Sequence, residues 1–525
     1  MERAFGAWKR LQGSSGWLLG RLKSTHYDPR RSFFGGEGKT AKFELAVKRQ
    51  SMDILNNNNM IRAAVIGYDG RTSALIDSLQ RSKRIVGKVE CLSHGKISAN
   101  PAAGEDEIRL AIQRLERLGQ KPSFVVNGPE ETLAMGKGVV DLLRDEFGIP
   151  CIGPTKRLAQ LEASKAFTRR LLATHGIPGN PEFKIFSASD LGEIKPYLQQ
   201  LGSFVVKPDG LTGGKGVKVS GEHLHSIEDA VFYCREVFNV GHPFVVIEEK
   251  LDGEEFSLQS FCDGKHVKHM PVVQDHKRAR TGDTGPNTGG MGSYSCEDHS
   301  LPFLSRRDLQ QAHDINERVA QALRKDFPQE PYKGILYGGF MVTRDGVRLI
   351  EYNARFGDPE ALNVLSLLKT DFVDVCEAII QGTLDELPIT FEKLATVCKY
   401  VVPEGYPEHC AANVNKVIDW RSVPKSANLR IFEAAVEKDG DAVGRLSGSR
   451  AVAFVGIGAN VAEAERITES AARAVKGPVE HRDDIGTRKL IAKRVAHMRA
   501  LLSGYADVKY EHDDAPDSGV LKLVS

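Results

Sequence analysis

The order of apolar and polar residues after position 60 predicts strands that alternate with helices. The apolar run Ala63–Gly67 predicts a strand, and the periodic segment Ala74–Leu79 predicts a helix after a turn. That turn, Gly67–Gly70, does not match G-x-G-x-x-G and is interpreted as a plain connection. A helix over 105–118 and a strand at Phe124–Val126 continue the alternation. The pattern is typical of a doubly wound parallel sheet, whose ligands bind at the carboxyl ends of its strands.

Two regions of mixed strands and helices follow this sheet. Between residues 178 and 252, strands flank a glycine-rich loop and a helix, which predicts a small α+β subdomain. Beyond residue 395, strands and a helix after Asn460 predict a small mixed α+β domain. The further predicted strands and long helices are Phe204–Lys207, Ile227–Phe238, Phe244–Glu248, Asp308–Phe327, Ile335–Val342, Val347–Tyr352, Ala395–Val402 and Ala451–Ile457.

Length and composition indicate a multidomain globular protein of the α/β (α+β) class. The 525 residues suit three or four domains, and a formal charge of +2 with 41% hydrophobic residues argues against disorder and against a nucleic-acid-coating protein. No segment reaches the roughly 18 consecutive apolar residues that a membrane-spanning helix needs. The predicted divisions are 1–59, 60–162, 163–392 with a subdomain at 178–252, 393–505, and a tail at 506–525.

The first 59 residues differ from the rest in charge. They hold 11 Lys and Arg against 5 Asp and Glu, whereas residues 60–525 hold 60 against 64. This basic extension resembles a transit peptide in composition. The alternative is a disordered extension or translated upstream sequence, because Met60 stands just before the first strand. Eight widely spaced cysteines without a zinc motif indicate a reducing compartment. We therefore expect a cytoplasmic protein, or a mitochondrial or plastid one if the extension is a transit peptide.

The most informative loop is KPDGLTGGKGV, Lys207–Val217. Its four glycines let the backbone approach a ligand closely and aim N–H groups at phosphate oxygens, while Lys207 and Lys215 supply positive charge. It is not a Walker A loop, because Gly216 stands where that motif needs Ser or Thr. The alternative is a flexible hairpin in solvent, which would not need a lysine at the end of an apolar strand.

A second candidate site follows at Val245–Ser257, VVIEEKLDGEEFS. An apolar strand that ends in Glu248 and Glu249 and is followed by Leu251 suits an adenine slot, where carboxylate and carbonyl oxygens accept from the exocyclic amine. Glu255 is a candidate acceptor for ribose hydroxyls. Acid pairs at strand ends are often merely solvated, but the preceding glycine-rich lysine loop favours a nucleotide.

A candidate metal site lies in RLIEYNARFGDPE, Arg348–Glu360. Side chains alternate along a strand, so Glu351 and Asn353 share one face, and two oxygen ligands suit Mg²⁺. Arg355 continues that face and is a candidate to stabilise charge on a transferred phosphoryl or acyl group. The alternative is a surface ladder of salt bridges.

The segment Gln274–Ser295 is rich in glycine and polar residues. Its composition predicts a loop that cannot pack in a core and that offers many donors and acceptors to a polar substrate with phosphate and hydroxyl groups. The alternative is a disordered linker.

These motifs together resemble those of the phosphoribosylamine-glycine ligase (glycinamide ribonucleotide synthetase) family of ATP-grasp enzymes. The resemblance runs from about Ile61 to Val495, and PNTGGMGSYS with NARFGDPE is more specific than the ATP-grasp signals alone. The motifs that carry it, in order, are GPE at Gly128–Glu130, GPT at Gly153, LEASKAFTRRLL, KPDGLTGGKGV, IEEKLDGEEFS, QDHKRARTGDTGPNTGGMGSYS, EYNARFGDPE, VPEGYP at Val402–Pro407, and RDDIG at Arg482–Gly486.

The resemblance implies a fold, a reaction and a set of partners. The implied fold has an N-terminal doubly wound (pre-ATP-grasp) domain, a central two-lobed ATP-grasp domain whose lid is the 178–252 subdomain, and the C-terminal α+β domain. The implied reaction uses ATP with Mg²⁺ or Mn²⁺ to join glycine to 5-phosphoribosylamine through glycyl phosphate, in purine biosynthesis. We expect a monomer or weak homodimer that binds neither nucleic acid nor a membrane.

The resemblance also implies roles for individual residues. Lys207 and Arg355 would act in catalysis, and Glu351 and Asn353 match the metal ligands. The ATP contacts would be Lys165, Lys207, Gly210, Gly213, Gly214, Lys215, Gly216, Glu248, Glu249, Leu251 and Glu255. The glycine and phosphoribosylamine contacts would be Gly70, Arg71, Glu130, Asp283, Asn287, Thr288, Arg355, Asp358 and Glu360.

The chain departs from the family pattern at three places, one of which is GPEETL at Gly128–Leu133, where the family usually has GPEAPL. The N-terminal loop usually reads close to GxGGREHA, whereas here Thr72 and Ser73 replace Glu and His, which favours an altered grip on the amine. Many ATP-grasp enzymes carry an acid on the strand before the Glu-x-Asn pair, but Phe340 and Met341 stand there. The alternatives to the implied reaction are an ATP-grasp ligase with a different amine acceptor and a nucleotide-binding protein without catalysis.

Overall fold

The computed structural model describes residues 60–93, 101–134, 136–211 and 216–503, all within the unit Met60–Ser525. The predicted basic extension 1–59 and the tail from 506 lie outside these residues.

The N-terminal region is built on four parallel strands in the order β2-β1-β3-β4. β1 is buried along its whole length, as expected for a sheet covered on both faces. The predicted doubly wound parallel sheet is therefore confirmed. Its elements are β1 (Ala63–Ile66), α1 (Gly70–Gln80), β2 (Glu90–Cys91), α2 (Pro101–Arg117), β3 (Phe124–Asn127), α3 (Glu131–Ala134), α4 (Val139–Leu142, continued by a π turn at Leu143–Phe147) and β4 (Cys151–Ile152).

A short antiparallel sheet and two helices form a lobe with its own hydrophobic core. The sheet order is β5-β8-β6-β7, and Phe186, Leu198 and Ile247 lie in the core between sheet and helices. The core residues of this lobe, from Phe186 to Ile247, fall within the predicted 178–252 subdomain. The helices that lead into it are α5 (Gln160–Ala163) and α6 (Lys165–Thr174), and its elements are β5 (Phe183–Phe186), a 3₁₀ turn (Ala188–Asp190), α7 (Leu191–Leu201), β6 (Phe204–Pro208), β7 (Lys218–Val219), α8 (Ile227–Asn239) and β8 (Val245–Glu249).

The central sheet is antiparallel, in the order β10-β9-β15-β16. Its two long central strands pair over eleven residues, from Lys333 opposite Asp263 to Thr343 opposite Gly253. Helix α9 packs against this sheet and begins with a capping box in which Ser305 accepts from the Asp308 amide. The elements are β9 (Gly253–Asp263), β10 (Val267–His269), α9 (Arg306–Asp326), β15 (Lys333–Thr343), β16 (Gly346–Asn353), α10 (Glu360–Leu367) and α11 (Phe372–Gln381).

The C-terminal sheet takes in strands from the middle of the chain. Its order is β11-β14-β17-β22-β19, with β23 paired to β17. The strands of this sheet are β11 (Gln274–Asp275), β14 (Gly292–Ser295), β17 (Ala395–Pro403), β19 (Leu429–Glu433), β22 (Val452–Gly458) and β23 (Val479–Glu480). Two smaller sheets are formed by β12 (Arg278–Arg280) with β13 (Thr284–Asn287), and by β18 (Val417–Asp419), β20 (Val436–Lys438) and β21 (Val443–Leu446). The remaining elements are a 3₁₀ turn (Ala411–Asn413), α12 (Val461–Arg473) and α13 (Arg488–Ser503).

The prediction that Gln274–Ser295 is a loop that cannot pack in a core is wrong for its last part. β14 is completely buried between β11 and β17. Two of its three polar side chains find partners, which offsets the cost of their burial: the Tyr294 hydroxyl donates to Gln274 Oε1 at 3.0 Å, and the Ser293 hydroxyl donates to Asn363. The hairpin formed by β12 and β13 is the more exposed part of the segment.

Candidate active site

A buried ion-pair network surrounds Lys207 at the end of β6. Lys207 Nζ lies 2.7 Å from Glu248 Oε2 and 3.2 Å from the carbonyl oxygen of Ile350. Arg169 on α6 grips the same carboxylate with two hydrogen bonds, of 2.6 and 2.9 Å. Burial acts to raise the pKa of Glu248, but the Arg169 and Lys207 cations bring it below its usual range. The Glu248 carboxylate, expected to contact adenosine, is thus already held by two cations.

Burial also affects Lys207 itself. It lowers the pKa of the ammonium group, and the neighbouring Arg169 acts in the same direction, while Glu248 opposes both. Lys207 is therefore a buried cation whose charge is favoured chiefly by Glu248 and, to a lesser extent, by Glu351. Arg169 is a residue that the sequence patterns missed.

Lys165 and the start of the glycine-rich loop are brought together. Lys165 Nζ donates to the carbonyl of Gly210 at 2.9 Å. The helix that carries Lys165 is capped by Ser164, whose hydroxyl lies 3.0 Å from Asp209 Oδ2. At the far end of the loop, the Gly216 carbonyl accepts from the Tyr233 hydroxyl at 2.7 Å. Gly213, Gly214 and Lys215 lie outside the described residues.

The predicted adenosine residues after β8 lie at its end and on β9. Glu249 accepts a hydrogen bond of 2.9 Å from the backbone amide of Glu182, and Leu251 is half-buried just beyond the strand. Glu255 on β9 accepts from Lys277 Nζ at 3.0 Å, and this ammonium lowers the pKa of the Glu255 carboxyl.

A cavity between β9, β11, β15 and β16 contains both predicted metal ligands. Glu351 and Asn353 line it together with Glu255, Asp275 and Lys277. Burial, together with nearby carboxylates, raises the pKa of Asp275 to about 7. Asp275 and Lys277 were not singled out from the sequence, although both lie in the polar segment that was.

Arg355 links this cavity to the N-terminal region. Its guanidinium contacts Asn353 Oδ1 and Glu162 Oε1, both at 3.1 Å, and Glu130 Oε2 at 3.0 Å. Burial raises the pKa of Glu162 to about 7 even though Arg355 opposes the change. Predicted catalytic, substrate and metal residues thus form one connected network.

The turn before α1 completes the network. Arg71 donates to the Phe356 carbonyl at 2.7 Å and pairs with Asp69 at 2.5 Å. Asp69 also caps α1, because its carboxylate accepts from the Thr72 amide at 2.9 Å. The Asp69 backbone N–H in turn donates to the Thr72 hydroxyl, which completes a capping box. A methyl group on Gly70 would overlap the hydroxyl of Tyr400. This turn therefore connects β1 to α1, as predicted, and its Gly70 also lies close to Tyr400 on the C-terminal strand β17.

Asp358 and Glu360, two further predicted substrate residues, each accept a hydrogen bond from a tyrosine hydroxyl. Asp358 accepts from the Tyr400 hydroxyl at 2.5 Å and pairs with Arg450 at 2.9 Å. Glu360 accepts from the Tyr337 hydroxyl at 2.5 Å. Arg450 also donates to the carbonyls of Gly289 and Gly290, so it holds two of the family-specific motifs together. Its role was not visible in the sequence.

Three predicted substrate residues have other partners. Asp283 pairs with Arg482 at 3.0 Å and with Arg494 at 2.5 Å, on segments after β23. Thr288 donates to the carbonyl of Lys277 at 2.8 Å, and Asn287 is exposed on β13. Among the described residues, the ion-pair partners of Asp283 are Arg482, Arg494 and Lys493 rather than Arg71 or Arg355.

Taken as a whole, the site has two lysines near the start of the glycine-rich segment of an antiparallel lobe, and an oxygen-rich cavity on the central sheet. This combination defines an ATP-grasp enzyme, in which a nucleotide lies between two lobes. The chain belongs to the phosphoribosylglycinamide synthetase family. Family models for its N domain, ATP-grasp (A) domain and C domain match residues 61–162, 163–361 and 396–488. The predicted fold class is therefore confirmed.

Relatives cover most of the chain. A protein of Methanocella arvoryzae named phosphoribosylamine–glycine ligase is 44% identical over 457 residues, which are 84% of this chain and all of the relative. One of the same name from Methanocaldococcus jannaschii is 43% identical, with the same coverage. The crystal structure of that ligase from Thermotoga maritima has the same fold, with a TM-score of 0.63 at 24% identity, over 81% of this chain and all of the other.

A more distant solved structure shares the fold as well. The biotin carboxylase domain of Hydrogenobacter thermophilus 2-oxoglutarate carboxylase, a complex with MgADP, ADP and bicarbonate, has a TM-score of 0.59 at 15% identity, over 85% of this chain and 96% of the other. At this identity the similarity shows the fold alone.

Proposed function

We propose that the chain is an ATP-dependent ligase that joins glycine to 5-phosphoribosylamine and releases glycinamide ribonucleotide, ADP and phosphate, a step of purine biosynthesis. The observation that carries the proposal is the ordered match of the three family domains over residues 61–488, with relatives named phosphoribosylamine–glycine ligase aligned over their whole length.

The chemistry starts from a carboxylate, which is a poor electrophile at neutral pH. In the proposed reaction a glycine carboxylate oxygen attacks the terminal phosphorus of ATP, and ADP leaves. The amine of phosphoribosylamine then attacks the glycyl carbonyl and loses a proton, and phosphate leaves with one former carboxylate oxygen. No protein nucleophile is required, so catalysis consists of positioning and charge neutralisation.

The residues around the loop suit the phosphates. Lys165 and Lys207 are the proposed phosphate contacts, because Lys165 Nζ contacts Gly210 at the start of the loop and Lys207 belongs to β6, which leads directly into it. Glu249, Leu251 and Glu255 are the proposed adenosine contacts, and Arg355 the proposed group that steadies negative charge where the two substrates meet. The pairing of Glu248 with Arg169 supports a role in holding Lys207 rather than in direct contact with adenine.

The cavity fits a hard divalent cation. Glu351 and Asn353 offer oxygen donors, and the side chains that line the cavity include no cysteine or histidine. We propose that these two residues hold Mg²⁺ or Mn²⁺. When bound, such an ion neutralises phosphate charge and so favours phosphoryl transfer. The charge of Glu351 also helps to keep Lys207 protonated, which supports a cation site close to the proposed phosphate contacts.

The proposed site for glycine and phosphoribosylamine lies around the Arg355 network. It comprises Gly70, Arg71, Glu130, Arg355, Asp358 and Glu360. A different amine acceptor is the second candidate, because Asp69 caps the first turn of α1 and engages Arg71. Helix N-termini are otherwise ready anion sites, and here a carboxylate of the chain itself fills that place.

The test of the proposed function is ADP release by the purified protein. It should require both glycine and freshly generated phosphoribosylamine. A panel of other amines separates the second candidate, since turnover with another amine and none with phosphoribosylamine would favour it. ATP binding without turnover under every condition would instead favour a non-catalytic nucleotide-binding protein.

Location, assembly and domain limits are part of the proposal. Within the described ranges, no helix is long and apolar enough to cross a membrane. We propose a cytoplasmic enzyme, with an organelle as the alternative if residues 1–59 are removed on import; N-terminal sequencing of the native protein tests this. We also propose a monomer or weak homodimer, testable by analytical ultracentrifugation, with domains at 60–162, 163–392 and 393–505.

A further inference from the structure

The cavity holds a buried carboxylate, that of Asp275, to which no other side chain of the described residues donates a hydrogen bond. The side chain of Asp275 is 9% exposed, and Lys277 Nζ lies 4.0 Å from its Oδ2, beyond hydrogen-bond distance. Lys277 is engaged by Glu255 Oε2 at 3.0 Å. Among the described residues, no other residue donates a hydrogen bond to the Asp275 carboxylate. A buried charge in this position is costly unless it is paired or binds a metal.

The side chains that line the cavity carry a net negative charge, of the same sign as the Asp275 carboxylate. The charged side chains that line it are the carboxylates of Glu255, Asp275 and Glu351 and the ammonium of Lys277, which leaves a formal charge of −2 when all are ionised. One divalent cation cancels that charge. A surface ladder of salt bridges would instead pair each acid with a base of its own.

The strand next to Glu351 leaves space at this point. Gly339 on β15 stands directly opposite Glu351 on β16 and has no side chain to offer. A Cβ built on Gly339 would meet only ordinary contacts, the nearest being the Glu351 carbonyl oxygen at 3.5 Å. The next residue, Phe340, is buried and stacks on Phe256 at 5.6 Å between ring centroids. β15 therefore supplies no oxygen ligand beside Glu351.

β11 brings Asp275 to the open side of the same cavity. Asp275 pairs with Ser293 of the buried strand β14, so its backbone is fixed. The neighbouring Gln274 donates through Nε2 to the carbonyl of Glu255 at 3.0 Å, which ties β11 to β9. Asp275 thus has a fixed backbone, and its carboxylate, whose nearest cation is Lys277 at 4.0 Å, lines the same cavity as Glu351 and Asn353.

We propose that Asp275 is a third protein ligand of the divalent cation held by Glu351 and Asn353, and that it takes the place of an acid on β15. Two carboxylates and one amide oxygen form a donor set suited to Mg²⁺ or Mn²⁺. The inference rests on the proposed nucleotide and metal function of this cavity, but not on the identity of the two substrates.

The test measures metal binding rather than turnover. Mn²⁺ is titrated into full-length protein in saturating ADP, and bound Mn²⁺ is followed by electron paramagnetic resonance. Asp275→Asn should weaken Mn²⁺ binding at least about tenfold. ADP binding without metal should remain unchanged. The matched control is Asp345→Asn, an exposed acid at the turn between β15 and β16, which should bind Mn²⁺ as the parent does.

A second substitution tests for a gain of Mn²⁺ affinity, so the proposal does not depend only on the loss of binding in one variant. In the Asp275→Asn background, Gly339→Asp restores an acid on the opposite wall and should recover most of the Mn²⁺ affinity. Thermal unfolding shows whether each variant is folded, and Asp275→Ser replaces the asparagine variant if that one is not. Parent-like Mn²⁺ affinity in the folded Asp275 variant would overturn the proposal. Because glycine and phosphoribosylamine are absent, failure of the proposed ligation would leave the expected Mn²⁺ result unchanged.

Discussion

Replacing Glu248 by glutamine should shift the pH dependence of ATP binding to lower pH. Lys207 is buried, and its ammonium keeps its proton chiefly because Glu248 Oε2 lies 2.7 Å away. Glu248→Gln keeps the shape but removes the negative charge, while Arg169 continues to repel the ammonium. The pKa of Lys207, already below its ordinary value, should therefore fall further.

The size of the effect follows from the contacts that remain. Without the carboxylate, Lys207 keeps a neutral acceptor, the Ile350 carbonyl at 3.2 Å, and the more distant charge of Glu351. Removal of one close opposite charge changes a pKa by about 1–3 units. The KM for MgATP of the variant should therefore begin to rise about 1–3 pH units below the point where the parent does. At lower pH, Lys207 is protonated in the parent and in the variant, so the KM values of the two proteins should no longer change differently with pH.

The assay is the pH profile of kcat and KM for MgATP at saturating glycine and amine. Glu249→Gln is the matched control, because Glu249 is the adjacent predicted adenosine residue and is not among the groups that chiefly set the pKa of Lys207. It should change KM by a factor that does not depend on pH. Superimposable pH profiles for Glu248→Gln and the parent would refute the reasoning.

Three further changes test other parts of the structure. Glu351→Gln should lower kcat about a hundredfold to a thousandfold with the circular dichroism spectrum unchanged, because it removes a carboxylate from the proposed metal site; near-normal kcat would argue against that role. Gly70→Ala should lower the free energy of unfolding by about 1–3 kcal/mol in urea denaturation, because its methyl overlaps the Tyr400 hydroxyl, and Tyr400→Phe in the same chain should recover part of the loss; an unchanged midpoint would contradict the overlap. Burial raises the pKa of the Glu469 carboxyl, but hydrogen bonds from His481 and Lys399 outweigh that effect, so the pKa in the folded state lies below the ordinary 4.5. Glu469→Gln should therefore be less stable than the parent at neutral pH. That difference should shrink as pH falls below about 4.5 toward the folded pKa; a difference that does not change with pH would show that the carboxylate charge is irrelevant.

Much of the fold was predictable because the chain's hydrophobic pattern is local. The buried run of β1 and the alternation with helices are properties of neighbouring residues, and they correctly predicted the parallel sheet. β14 was not predictable in this way. Its glycine, serines and tyrosine indicate a loop, and they are buried only because partners such as Asn363 and β17 arrive from about 70 and 100 residues away. Composition alone does not show such pairings.

The candidate site divides along the same line. Lys207, Glu351 and Asn353 were recognisable, because each has a meaning set by its own strand or loop. Arg169 was not recognisable, since its partner Glu248 stands 79 residues later. Arg450 was missed for the same reason, because it acts on carbonyls 160 residues earlier. Residues that hold other functional residues in place become visible only when the chain is folded.

The central claim is that the glycine carboxylate is activated by phosphoryl transfer from ATP. The direct measurement uses glycine whose carboxylate carries a heavy oxygen isotope, in a reaction with ATP, divalent metal and freshly generated phosphoribosylamine. Mass spectrometry of the released phosphate should find one heavy oxygen in each molecule, because phosphate leaves the glycyl group with a former carboxylate oxygen. Release of ADP with phosphate that contains no heavy oxygen would contradict the account.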